Sequence, residues 1–403
     1  MASTALDRID AFRIARLPDI RFGDGSIHLL PTLIADHGKR VMVVTGKRSF
    51  VESQHWSELV AALEAQGATW HHVTIEGEPS PQRVDAIVSE HSDRDIDVVV
   101  AIGGGSVLDA AKAVAGLLRP GNSVMDHLEG AGHGLPYRGP AVPLIAVPTT
   151  AGTGSEATKN AVLSVQGADG FKKSFRDERL VAAVALVDPE LLTRCPKAQI
   201  AANGMDAFTQ LLESYVSLNA SPATDALAWS GMRAFCCGFW AAWEADHAAA
   251  DRGYGQLAYA SLMSGITLAQ AGLGSVHGLA SPLGAFFPIP HGTVCGTLVA
   301  EATSINVAAL RQRNAGGVAL TKFGEVGRLV SGAPELSDSD ACDALVATLR
   351  EWTQRLEMPR LGAYGIGHSD IERVVAGARG GSMKTNPLEL TDAELGDLLT
   401  RRL

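Results

Sequence analysis

His277 and His291 stand beside Gly278 and Gly292 in an otherwise apolar stretch, residues 274–292, that offers imidazole no evident packing role. Upstream, Asp206 and Gln210 are four positions apart in the run Gly204-Met205-Asp206-Ala207-Phe208-Thr209-Gln210. A helix there would put a carboxylate and an amide oxygen on one face. Two imidazoles, a carboxylate and a neutral carbonyl oxygen suit Fe(II) or Zn(II). With a fifth position left open, such a centre acts as a Lewis acid on an alcohol oxygen. A lone histidine is more often a hydrogen-bonded structural residue, so it is the shared setting of the pair that points to a metal.

A second constellation lies nearer the N-terminus. Gly103, Gly104, Gly105 and Ser106 follow the apolar run 98–102 and open into a helical pattern, the arrangement that holds a pyrophosphate on helix amides. Another loop, Pro148 to Thr158, also follows an apolar run, and its Thr149, Thr150 and Thr153 offer the neutral hydroxyls that a ribose and nicotinamide require. Cofactor choice is read at the end of the second strand, where Thr45, Gly46, Lys47, Arg48 and Ser49 include two cations and no carboxylate. That favours NADP over NAD, or tolerance of both. Metal and dinucleotide together imply hydride transfer.

The elements that must position these residues follow from the wider pattern. A chain of 403 residues is too long for one ordinary core. Residues 40–45, 69–75, 97–102, 144–147 and 181–187 read as strands, with helical patterns at 56–66, 81–90 and 106–118, so the chain predicts parallel βαβ units. Beyond Asp188-Pro189 the β-branched runs nearly vanish, and 197–217, 221–247, 255–270, 294–306 and 339–356 read as helices. The expectation is therefore an α/β domain with a parallel sheet over residues 1–190 and an all-α domain over 191–403, with small ligands in the cleft between. Adjacent Cys236 and Cys237 read as helix core, His71 and His72 lie in a strand pattern, and the remaining histidines, His91 and His247 among them, fit surface or turn positions.

Thirty-four basic against 44 acidic residues give a net charge of −10, which opposes nucleic-acid binding. Five cysteines at irregular spacing suggest a reducing compartment. No charged segment leads into an apolar core at the N-terminus, and no apolar run approaches the ~18 residues of a membrane span. A soluble, cytoplasmic enzyme without nucleic-acid or membrane partners is expected.

The chain resembles the iron-containing (group III) alcohol dehydrogenases over residues 21–399. The likeness rests on Gly103 to Ser106 with Asp109, on Pro148 to Thr153, on Gly204-Met205-Asp206, and on His277 to Gly284 through Pro290-His291-Gly292. It implies a Rossmann-like N-terminal domain for NAD(P), a helical C-terminal domain holding Fe(II) or Zn(II) (the dehydroquinate synthase-like architecture), and reversible oxidation of alcohols to aldehydes, in a homodimer. The implied metal ligands are Asp206, Gln210, His277 and His291. The implied cofactor contacts are Gly46, Ser80, Gly104, Gly105, Ser106, Asp109, Thr149, Thr150, Thr153, Thr158 and Lys172, with Asp109 alternatively orienting the pyrophosphate turn. Two departures stand out: Gln210 occupies a place usually held by histidine, and Ser281 stands where many members carry a proton-relaying histidine. Gln210 keeps open a metal-independent, maleylacetate-reductase-like enzyme. Ser281 keeps open a catalytically silent nucleotide- or metal-binding protein.

Overall fold

The computed structural model describes residues 9–245 and 249–403; His247 lies outside them. In the N-terminal half, β1 (Asp19–Phe22), α1 (Leu30–Ala35), β2 (Arg40–Gly46), α2 (Gln54–Ala65), β3 (Thr69–Ile75), α3 (Pro81–Glu90), β4 (Val98–Gly103), α4 (Gly105–Leu117) and β5 (Leu144–Pro148) come first. They are followed by β6 (Asn160–Val165), β7 (Phe171–Arg176) and β8 (Val184–Val187). Six strands form one sheet in the order β1-β8-β5-β4-β2-β3, every pair parallel. All of β4 and β5 is buried, which is why Val98 to Ile102 reads as a continuous apolar run rather than an alternating one.

The register decides where ligands can go. Thr45 pairs with Ile102 and Gly103 with Pro148, so Gly46, Gly103 and Pro148 end neighbouring strands at the same edge. β3 lies on one side of β2 and β4 on the other, and it is beyond the carboxyl ends at such a reversal that open α/β sheets bind nucleotides. The hairpin β6-β7, antiparallel from Asn160↔Arg176 to Val165↔Phe171, was not among the expected strands, nor was the four-residue β1.

The second half is helical: α5 (Lys197–Tyr215), α6 (Pro222–Glu244), α7 (Ala249–Ala271), α8 (Ser275–Phe286), α9 (His291–Arg313), α10 (Val318–Ser331), α11 (Asp338–Arg355), α12 (Ile371–Gly377) and α13 (Asp392–Thr400). Phe208, Phe235 and Phe239 are fully buried, the first two against Trp352 and Phe239 stacked on Phe235, each ring worth about 2–3 kcal/mol of transfer free energy. Phe208 is thus part of the helical core. The stretch around His277, which carries no clear helical signal because of its glycines and Pro282, is the helix α8.

Three smaller expectations are corrected. Cys237 is exposed and Cys236 half-buried, so the pair is not a core dithiol. His91 is buried, its Nδ1 bonded to the Ile87 carbonyl one turn back. α9 contains an 18-residue window of mean hydropathy 1.3, long and apolar enough to cross a bilayer, but 89% of it is buried inside the protein.

Candidate metal centre and cofactor cleft

α5 is buried on every side from Gly204 to Tyr215, so each polar side chain on it must find a partner inside the protein. Asp206, Gln210 and Glu213 recur at helical spacing and form a polar stripe facing α7 and α8. Glu213 meets the first turn of α8: its carboxylate accepts from the backbone N–H groups of Gly274 (2.9 Å) and Val276 (2.7 Å) and from His277 Nδ1 (2.7 Å). A carboxylate at a helix N-terminus satisfies otherwise orphaned donors. It also orients the imidazole: with Nδ1–H given to Glu213, Nε2 is the nitrogen left to face the cluster.

That nitrogen stands 3.2 Å from Asp206 Oδ1, a contact bridged by a proton when no metal is bound and open to a metal ion in its place. His291 Nε2 is 3.7 Å from the same oxygen, and the relevant donor atoms of Asp206, His277, His291 and Cys295 all lie within 4.8 Å of one another. Several converging donors suit a metal ion better than a shared proton. The electrostatics agree. Burial alone would raise the Asp206 carboxyl, yet the two imidazoles hold it at about 2. Burial opposes charging His277 too, but Cys295, Asp206 and Glu213 drive it well above the usual imidazole value, so the acidic shell calls for a positive charge here. Burial pulls His291 down to about 4, leaving it a neutral imidazole suited to ligation. Its Nδ1 is buried with no hydrogen-bond partner among the described residues.

Gln210 stands differently from the other three. An ionised carboxylate only accepts, so the group 3.2 Å from Asp206 Oδ1 is the Gln210 NH2, and the amide oxygen turns to the Ser264 hydroxyl at 2.7 Å. Gln210 therefore steadies Asp206, with its oxygen pointing away from the cluster. Ser264, on α7, also lies 3.4 Å from the Gly152 carbonyl, which links the centre to the loop after β5.

The glycine turn is built for close approach. None of Gly103, Gly104 and Gly105 has positive φ. A Cβ on Gly103 would lie 2.6 Å from Val107, and one on Gly105 2.8 Å from Thr153 Cγ2. Gly104 brings no side-chain cap to α4, so its first amides remain open to an anion. The loop containing Thr149, Thr150 and Thr153 lies directly on this turn. Gly154, at φ 58°, presses its backbone against Gly265 of α7, where a Cβ would come within 2.4 Å.

Several expected contacts are engaged within the protein. Ser80 caps α3 by accepting from Arg83 N–H. Asp109 accepts from Ser155 Oγ (2.5 Å) and Val162 N–H (3.2 Å), and so joins α4 to the following loop and hairpin. Thr158 Oγ1 accepts from Lys112 Nζ at 2.9 Å. Lys172, on β7, pairs with Glu78 at 2.6 Å. Ser281 donates to the Lys172 carbonyl at 2.9 Å, which pins β7 to α8. Lys172 and Glu78 are charged neighbours of His291, so this strip borders the metal cluster. Gly46 ends β2 and, among the described residues, has only Val107 near the position its Cβ would take, at 3.8 Å.

Glu213, Cys295 and Lys112 were missed as site-forming residues, although helical spacing marks the first two: Glu213 falls two turns after Asp206, and Cys295 one turn after His291. Glu213→Gln should loosen metal binding by about 10–100-fold, as removal of a carboxylate behind a ligating histidine does. Zinc titration against a chromophoric chelator would check this, and unchanged affinity would remove Glu213 from the centre.

Residues 18–189 match the sequence model of the iron-containing alcohol dehydrogenases, and residues 200–403 match that of the family's C-terminal part. The long-chain-alcohol dehydrogenase 1 of Geobacillus thermodenitrificans is 31% identical over 389 residues, covering 95% of this chain and 94% of that protein. The NAD-dependent methanol dehydrogenase of Bacillus methanolicus is 29% identical over 393 residues, 94% of this chain and 97% of its own length. An alcohol dehydrogenase from Oenococcus oeni superposes with a TM-score of 0.86 at 25% identity, over 98% of this chain and 100% of that one. None of these favours the metal-independent reductase or the silent protein. The chain belongs to the iron-containing alcohol dehydrogenase family and is an alcohol dehydrogenase, a metal- and NAD(P)-dependent oxidoreductase of alcohols and aldehydes.

Proposed function

We propose that residues 1–190 hold the dinucleotide, residues 191–403 hold the metal and a small alcohol or aldehyde, and the reaction takes place where the two parts meet. The observation that carries this is the convergence of His277 Nε2, His291 Nε2 and Asp206 Oδ1 within 4.8 Å of one another in a buried cluster. Asp206, His277 and His291 grip the metal. A divalent ion supplies Lewis-acid polarisation of the substrate oxygen, and NAD(P) the two-electron hydride exchange.

The chain's own residues do the positioning. Glu213 orients the His277 imidazole, and Gln210 and Ser264 fix Asp206. The amides of Gly104, Gly105 and Ser106 take the pyrophosphate, while Thr149, Thr150 and Thr153 meet the sugar and nicotinamide side. Asp109, Thr158 and Ser80 act behind them by holding the loops, and Ser281 holds β7 so that Lys172 borders the cleft. Mixing the purified protein with NADPH or NADH and a panel of aldehydes tests the reading: turnover lost to a chelator and restored by metal supports it, and chelator-resistant turnover overturns it.

NADP is the preferred cofactor in this proposal. Gly46 leaves open the place where a carboxylate would accept from a ribose 2′-hydroxyl. Neighbouring Lys47 pairs with Glu76 at 2.9 Å on the surface, and an exposed pair worth at most about 1 kcal/mol yields readily to a phosphate. Gly46→Asp should shift the ratio of kcat/KM for NADH over NADPH upward by about tenfold or more, ~1.4 kcal/mol of discrimination. An unchanged ratio would place the 2′-site elsewhere.

We also assign the enzyme to the cytosol as a homodimer. All five cysteines are free, and Phe12, Ile14 and Phe22 expose apolar side chains along the N-terminal segment and the edge strand β1. Light scattering that gives a monomer mass would refute the dimer.

A further inference from the structure

We propose that Cys295 is itself a metal ligand, its thiolate joining Asp206 Oδ1, His277 Nε2 and His291 Nε2, and that Gln210 stays outside this set. The inference rests on the metal-dependent function proposed above and names the donor that completes its centre.

Cys295 lies four residues after His291 on α9, hence on the same helix face, and it is fully buried. A buried cysteine is ordinarily a small core residue. Here, however, Sγ points at the two nitrogens already directed at Asp206: it is 3.6 Å from His277 Nε2 and 3.9 Å from His291 Nε2. Tetrahedral coordination with ordinary bond lengths puts neighbouring sulfur and nitrogen ligands ~3.6 Å apart, and nitrogen and oxygen ligands ~3.3 Å apart. Asp206 Oδ1 stands 3.2 Å from His277 Nε2 and 3.7 Å from His291 Nε2. These four separations are close to those of ligands sharing one ion, and all four atoms lie within 4.8 Å of one another.

Gln210 lacks such a fit. Its NH2 is committed to Asp206 and its oxygen to Ser264, so to ligate it would have to turn a donor toward Ser264 and give up the brace on Asp206. The weak amide oxygen at 210 is replaced by a stronger, softer donor from another helix. On metal binding the Cys295 S–H bond breaks, the sulfur–metal bond forms, and the proton passes to solvent. A thiolate in the set shifts preference from Fe(II) toward Zn(II).

The test is spectroscopic and independent of turnover. Full-length protein loaded with one equivalent of Co(II) should show an intense near-ultraviolet thiolate-to-cobalt band. Cys295→Ser should lose that band and weaken Zn(II) by more than about a hundredfold, beyond the usual range for an outer-shell change. Gln210→Ala should keep the band. X-ray absorption of the zinc-loaded wild type needs no variant to fold and should show one sulfur at about 2.3 Å. Bound metal with no sulfur signal overturns the Cys295 assignment and leaves the dehydrogenase reading intact. Failure to bind cobalt or zinc at all overturns that reading as well.

Discussion

Asp206→Asn should strip the protein of its metal and lower kcat/KM for aldehyde reduction by at least about a thousandfold, or ~4 kcal/mol of transition-state stabilisation. The substitution keeps the shape of the side chain but removes the one negative charge that both imidazoles face. It also alters the oxygen that Gln210 braces. The fold should survive, because asparagine keeps the volume of this 1%-exposed side chain and Glu213 still anchors His277. Metal content by emission spectrometry, circular dichroism and NADPH oxidation on the same preparation separate the two effects. A variant that folds, keeps stoichiometric metal and turns over normally would refute the proposed centre.

Lys112→Met should cost about 3–5 kcal/mol of stability, the usual penalty for removing one partner of a buried ionic network. Lys112 is completely buried on α4, and its ammonium reaches the Ser155 carbonyl and hydroxyl (both 2.8 Å), Thr158 Oγ1 (2.9 Å) and the Asn160 carbonyl (2.7 Å), with Asp109 at 3.6 Å. Burial lowers its pKa, and the charges of Asp109 and Glu156 counter that. Methionine fills the volume but leaves these acceptors unpaired and Asp109 without its cation. A fall in Tm on the order of 10 °C is expected, together with weaker nucleotide binding, since the ammonium ties the glycine-turn helix to the Thr149–Thr158 loop. Calorimetry with and without NADPH measures both. A change in Tm under about 2 °C would show that this network contributes little.

Local pattern made the sheet legible. Val98 to Ile102 and Leu144 to Val147 are apolar throughout because parallel strands are covered on both faces, and glycines after them mark the turns. The hairpin β6-β7 escaped because its strands are half-exposed and mix polar with apolar residues. α8 escaped because Gly278, Pro282 and Gly284 argue against a helix, whereas burial among α9, β7 and α12 overrides that preference. At the site, Asp206, His277 and His291 stood out as chemical types in unexpected apolar surroundings. Glu213 and Cys295 did not, since a glutamate and a cysteine in a helix are unremarkable until the face each occupies is known.

The amino-acid order by itself determined the class of chemistry: a glycine turn after a buried strand, and histidines where packing wanted none. Only the tertiary structure decided which atoms do the work. A hydroxyl, an amide or an ammonium serves a ligand only if no nearer protein group has claimed it. Thr158, Asp109 and Ser281 are claimed by neighbours far away in sequence, and Ser80 by the helix it caps. The same accounting turns the Gln210 oxygen away from the cluster and brings Cys295 sulfur into it. Hydrogen-bond partners are assigned in space, within ångströms, and linear spacing carries that information only along a single helix or strand.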